Sequence, residues 1–166
     1  DIEFNNIIGN TPVTWSQCGT RPSYHPCNFI LKDQNGDSFQ LYNHYGKAIV
    51  LDFSAGWCGP CRTAAYSTQE HYDHYIGKGL LYATVLIEDT ERNVPDVEDA
   101  RRWAEDHNIT TAPVLVGSRS MLESGGGSWR LTGWPTFYLI DREMEMYVIV
   151  RGWNEEYLFD YIDELL

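Results

Sequence analysis

The chain has 166 residues, 43% of them hydrophobic, with six Trp and eleven Tyr, which is ample for a packed core in one domain. Its formal charge of −12, without any Lys/Arg cluster, argues against nucleic acid and anionic membrane surfaces as partners. No run approaches the length of a membrane span, and neither disorder nor repeats are indicated.

The chain starts Asp1-Ile2-Glu3-Phe4, with neither an initiator Met nor the charged-then-apolar pattern of a secretory signal. Adjoining cloning sites encode the same four residues, so residues 1–4 read as a scar in place of a removed leader and are set aside from fold reasoning. Residues 1–27 form an N-terminal extension in this reading. Within it Cys18 and Cys27 bracket Gly19-Thr20-Arg21-Pro22-Ser23-Tyr24-His25-Pro26, a turn-rich stretch with no helical or strand period. A disulfide there would tie down a loop too poor in apolar residues to hold itself. Two free thiols of a cytosolic protein, or a second redox pair relaying electrons, are the alternatives. An even count of four cysteines is compatible with an oxidising compartment.

Residues 28–166 read as one domain. Asn28–Leu31 and Ser38–Leu41 are short strands joined by Asp33-Gln34-Asn35-Gly36-Asp37, whose Asn-Gly pair suits a tight hairpin. Ala48–Ser54 is a nearly continuous apolar run, as in a strand covered on both faces. A helix is expected from about Pro60 to Ile76, ended by Gly77 and Gly79, and Leu80–Ile87 is the next buried strand. Pro95–His107 places Val97, Ala100 and Ala104 at i, i+3 and i+7, an amphipathic helix with a solvated acidic face. Ala112–Val116 adds a strand, and Glu123-Ser124-Gly125-Gly126-Gly127-Ser128 reads as a flexible loop with no core of its own. Thr136–Asp141 and Met146–Arg151 pair around a turn, and Asn154 caps a last helix whose stripe is Tyr157, Leu158, Tyr161, Ile162 and Leu165. Strands alternating with helices, closed by a strand pair and a terminal helix, indicate a three-layer α/β domain.

Trp57-Cys58-Gly59-Pro60-Cys61 lies where the first central strand gives way to a helix. Two thiols on a first helical turn face unpaired backbone N–H groups, which stabilise a thiolate at Cys58, and Cys61 is near enough to close a disulfide. The only positive charge close by in sequence is Arg62. A closed staple or half of a zinc site are the alternatives, but Cys18 and Cys27 are spaced C-x8-C far upstream and no His follows Cys61. The five His show no metal-ligand spacing, so neither a metal nor any other cofactor is expected. Trp134-Pro135 is a candidate cis bond that would leave backbone of Trp134 open to an extended substrate, with Trp57 and Trp134 as an apolar platform.

Leu51-Asp52-Phe53-Ser54-Ala55-Gly56-Trp57-Cys58-Gly59-Pro60-Cys61 resembles the active-site block of the thioredoxin superfamily, and Gly133-Trp134-Pro135-Thr136-Phe137 resembles its second signature, where the Pro is cis. The inserted helix and strand between about Pro95 and Val116, with the hairpin before the first central strand, are similar to the TlpA/ResA-like, AhpC/TSA-related branch. That resemblance implies a thioredoxin-like fold, a central mixed sheet flanked by helices with an N-terminal extension and an inserted helix-strand unit. It implies an attacking Cys58, a buried resolving Cys61, and Asp52 as the carboxylate that moves protons to and from Cys61. Gly59, Pro60, Trp57, Trp134, Pro135 and Thr136 would line the substrate surface, and Glu88 falls near an acidic acid/base position of ResA-like proteins. Members of this branch are commonly exported, so the bacterial periplasm or cell exterior is the expected location. Disulfide-containing clients and an upstream thiol donor are the expected partners of a monomer.

The leading function is therefore a thiol-disulfide oxidoreductase, in the reducing direction by its Gly59-Pro60 dipeptide, which is similar to that of reducing thioredoxins. Competing functions are a redox-inert thioredoxin-like binding domain and a peroxidase. Peroxiredoxins resemble one another in a Thr three residues before the peroxidatic Cys, where this chain has Ala55. Copper-delivery proteins resemble one another in C-x3-C, which C-x2-C does not fit.

Overall fold

The computed structural model describes residues 6–166, and the expected scar at residues 1–4 lies outside the described residues. Two hairpins come first: β1 (Asn6–Ile8) with β2 (Thr11–Val13), and β3 (Ile30–Lys32) with β4 (Ser38–Gln40). The first hairpin was not foreseen in the extension. Gly9 turns it at φ +61°, where a side chain would also meet the backbone of Tyr42 and Asn43. In the second, Asp33 Oδ1 accepts the N–H groups of Asn35 and Asp37 and holds the turn.

The central sheet has the order β7-β6-β5-β8-β9, from β5 (Ala48–Ala55), β6 (Leu80–Glu88), β7 (Val114–Val116), β8 (Thr136–Ile140) and β9 (Met146–Arg151). Strands β5, β6 and β7 run parallel, while β8 and β9 add antiparallel, so the sheet is mixed as expected. Every residue of β5, β6 and β8 is buried, which explains their nearly continuous apolar runs. Each fully buried aliphatic side chain there contributes roughly 1.5–3 kcal/mol.

The four helices among the described residues cover one face of the sheet: α1 (Gly59–Ala65), α2 (Thr68–Ile76), α3 (Val97–Asp106) and α4 (Glu155–Leu165). The other face, with Ile49, Leu51, Phe53, Tyr138 and Ile140, is closed by the hairpins and irregular segments that carry Phe39, Leu41, Tyr42, Met121 and Trp129. The third layer is thus hairpins and short 3-10 turns, not helices. Cys18 and Cys27 are bonded within it, closing their loop, and Thr20 Oγ1 donates to Ser128 O across it.

Several local expectations need correction. The helix expected from Pro60 to Ile76 is broken at Tyr66 and Ser67, because the Ser67 and Thr68 hydroxyls both donate to the Ala64 carbonyl in competition with the helical ladder. Glu123–Ser128 is not a coreless loop. Its 3-10 turn (Ser124–Gly126) packs so closely that a Cβ on Gly126 would overlap Ser120 O, and fully buried Trp129 follows it. In α3 the buried set is Ala100, Trp103 and Ala104, with Val97 only half-buried. In α4 Leu158 and Ile162 are buried, but Tyr157 is exposed.

Candidate active site

Strand β5 ends at Ala55, and Gly56 N–H donates to Glu88 O at 2.9 Å, fastening the end of β5 to the end of β6. Cys58 caps α1, and its sulfur accepts the N–H of Cys61 at 3.2 Å. The two sulfurs are bonded. Cys58 keeps 3% of its surface exposed and Cys61 none, so only Cys58 is open to an attacking or attacked group. Gly59 and Pro60 are exposed on the first turn of α1 and form a rim, and Arg62 Nη1 donates to Gly56 O at 2.8 Å. Because α1 stops at Ala65, the local N–H groups rather than a long helix dipole bear on Cys58.

Asp52 lies in β5 between Thr84 of β6 and Phe137 of β8. By strand alternation from Val50 it points to the face covered by α1. It is wholly buried; Ser54 Oγ donates to Oδ1 at 2.6 Å, while Oδ2 has no hydrogen-bond partner. Burial pushes its carboxyl up to about 7, against the opposing pull of the Ser54 hydrogen bond. The Tyr82 phenol, on the same side of β6, is pushed well above its ordinary range by burial and then by the Asp52 charge. A buried carboxyl poised near neutrality on the side of the sheet that carries α1 is suited to taking and returning a proton.

The Trp134-Pro135 bond is cis. Thr136 opens β8 opposite Phe53, and its Oγ1 donates to Gly133 O at 2.7 Å, which fixes the loop carrying Pro135 beside the end of β5. Trp57 and Trp134 are half-buried, meet edge to face at 5.3 Å between ring centroids, and pack on the cluster that contains Cys58 and Cys61. They form a partly exposed apolar rim beside the dithiol.

Glu88 ends β6 opposite Ala55, which settles its register. Its buried carboxylate accepts Trp57 Nε1–H at 3.2 Å and pairs with Arg119 Nη2 at 2.9 Å. Arg92 lies over the Trp57 ring at 4.0 Å. Arg62 is therefore not the only cation at the site; Arg92 and Arg119 reach it from segments distant in sequence. The one sequence signal for this approach is Gly56, where a Cβ would stand 2.7 Å from Thr90 N and 2.8 Å from the carbonyl carbon of Asp89. Beside these groups a cleft of about 410 Å³ runs between α1 and α3, lined by Arg62, Tyr66, Glu88, Arg102, Trp103 and His107. Burial lowers the His107 imidazole, whose Nδ1 contacts Trp103 O at 2.7 Å. Among the described residues no cluster of three or more His, Cys, Asp or Glu side chains has the geometry to hold a metal ion.

The family model described as the AhpC/TSA family matches residues 25–149. The thiol-disulfide oxidoreductase ResA of Bacillus subtilis is 25% identical over 137 residues, covering 82% of this chain and 71% of that protein. Among solved structures, the exposed lipoprotein thioredoxin Etrx1 of Streptococcus pneumoniae is 26% identical at a TM-score of 0.69, over 84% of this chain and 100% of that one. The thioredoxin domain of a thiol-disulfide oxidoreductase from Bacteroides vulgatus, at 19% identity and a TM-score of 0.70 over 87% and 96% of the two chains, shares the fold.

Proposed function

The chain belongs to the AhpC/TSA family, and from that premise we infer that it is a thiol-disulfide oxidoreductase whose working dithiol is Cys58 and Cys61. The observation that carries this is the bonded Cys58–Cys61 pair at the head of α1, with the unpartnered Asp52 oxygen on the same side of the sheet. In the reduced protein the Cys58 thiolate attacks one sulfur of a client disulfide and expels the other as a thiolate. Asp52 takes the Cys61 proton, and Cys61 attacks the Cys58 sulfur, closing the pair and releasing the second client thiolate. Two electrons pass to the client, and an upstream thiol donor restores the dithiol.

The backbone beside cis Pro135, with Trp57, Trp134, Gly59 and Pro60, is the surface on which an extended client would lie, whereas Thr136, expected from sequence to line it, is wholly buried and acts from behind by holding Gly133 O. Residues 28–166 act as the thioredoxin-like domain and residues 1–27 as its extension, in a monomer. The protein works outside the cytoplasm, in the periplasm or at the cell exterior, a location supported by the closed Cys18–Cys27 bond and by the likeness to an exposed lipoprotein thioredoxin. Among the described residues no helix is long and apolar enough to cross a membrane.

The direction is reducing. The test is the equilibrium potential of the Cys58/Cys61 couple in defined thiol buffers, with Cys18 and Cys27 followed by alkylation in the same samples. A potential near about −270 mV with the N-terminal pair still oxidised is expected; one above about −180 mV would make the protein an oxidase or isomerase. Insulin reduction that persists in Cys58→Ser would remove the dithiol from the reaction altogether.

A further inference from the structure

We propose that Glu88, held by Arg119, is the positioning residue for Trp57, and that the segment after β6 forms a socket fixing this indole as a wall of the client surface, which favours protein disulfides over small ones. The proposal rests on the oxidoreductase reading of the same site. Trp57 precedes Cys58 directly, so the position of its ring decides what can approach the Cys58 sulfur. Three groups hold the ring. Glu88 Oε1 accepts its Nε1–H at 3.2 Å, Arg92 covers one face at 4.0 Å, and Trp134 meets it edge to face at 5.3 Å.

Glu88 can act in this way only because Arg119 supports it. The same Oε1 that accepts the indole N–H accepts Arg119 Nη2–H at 2.9 Å, and the Glu88 side chain is 3% exposed against 64% for Arg119. A carboxylate so buried needs its counter-cation. Without the guanidinium it turns out toward water, and the indole loses its acceptor. Both contacts fall on Oε1 and come from donors, so this one oxygen ties the indole to the guanidinium.

Arg92 is aimed by a turn built for it. Asp89 Oδ1 accepts the N–H groups of Glu91 and Asn93, and Arg92 sits between them at φ +67°. Gly56 admits this turn against the active-site strand. An indole fixed in advance spares an extended client the cost of ordering it, whereas a small disulfide that meets only the Cys58 sulfur gains little from the wall.

The test compares wild type, Arg119→Met, Arg119→Lys and Glu88→Leu with insulin and with 5,5′-dithiobis(2-nitrobenzoate), alongside the near-UV circular dichroism of Trp57 assigned by Trp57→Phe. Arg119→Met is expected to raise KM for insulin about tenfold, with a rise for the small disulfide at least about fivefold smaller, and to weaken the Trp57 band. Arg119→Lys, which keeps the cation, should restore most of both readouts. If Arg119→Met does not fold, Glu88→Leu, which removes the acceptor itself, carries the same comparison. Equal KM changes for the two disulfides, or an intact Trp57 band in both variants, would overturn the proposal. A wild-type chain inert toward both disulfides would instead sink the oxidoreductase reading, and the Trp57 band would still decide the socket.

Discussion

At the residue scale, Asp52 contributes a pH dependence of its own. Its carboxyl stands at about 7 in the fold against 3.8 when free, because burial opposes its charge more than Ser54 favours it. Between those values the folded chain binds the extra proton, so the stability contributed by this group is full below about 4 and falls as pH rises through about 7. The whole loss is at most about 4 kcal/mol. Asp52→Asn, which carries no charge to bury, is therefore expected to unfold at higher denaturant than wild type at pH 8, with the difference shrinking toward pH 4; chemical denaturation at the two pH values measures it. The same variant should slow release of reduced client by about 10²-fold or more at pH 7 and erase the rise in that rate through pH 7, read by quenched-flow decay of the mixed disulfide. An equal slowing at every pH would mean that Asp52 shapes the site without moving the proton.

At the element scale, the inserted helix and strand are held by polar contacts that periodicity cannot show. Asp96 and Asp99 form a reciprocal capping box at the start of α3, so Asp96→Ala is expected to lower stability by about 0.5–2 kcal/mol in urea unfolding. Gln34, buried in the β3–β4 turn, donates to Ala112 O and accepts from Val114 N, extending the ladder at the edge of β7. Gln69 Oε1 accepts the backbone N–H groups of Thr110, Thr111 and Ala112. Gln34→Ala leaves two backbone groups without their partner and should cost about 1–3 kcal/mol, with faster hydrogen exchange at Val114. Neither glutamine carries a sequence signal, since a Gln in a turn or on an acidic helix reads as a solvated surface.

At the scale of the whole molecule, the Cys18–Cys27 bond closes a loop over the helix-free face, with a sequence separation of 9. Replacing both cysteines by Ala should cost about 2–3 kcal/mol while leaving the Cys58/Cys61 potential in place. A changed potential would tie the two pairs into one relay. The succession of strands along the chain from β3 onward, the buried runs of β5 and β6, the dithiol at a strand-to-helix junction and the cis Trp134-Pro135 bond were legible in the chain, because each depends on residues adjacent in sequence: apolar runs, Gly, Pro and a C-x2-C spacing. Ser67 and Thr68 breaking the helix, and Gly126 folding onto Ser120, depend on hydroxyl and backbone contacts that composition does not announce. The sequence by itself determined the chemistry, since a thiol pair on a first helical turn follows from local geometry. The tertiary structure alone decided what surrounds it: Glu88, Arg92 and Arg119 lie about thirty to sixty residues beyond Cys58 and meet at Trp57 only when β5, β6 and the segment after β7 pack together, because charge pairing and burial act through space and leave no periodic trace along the chain.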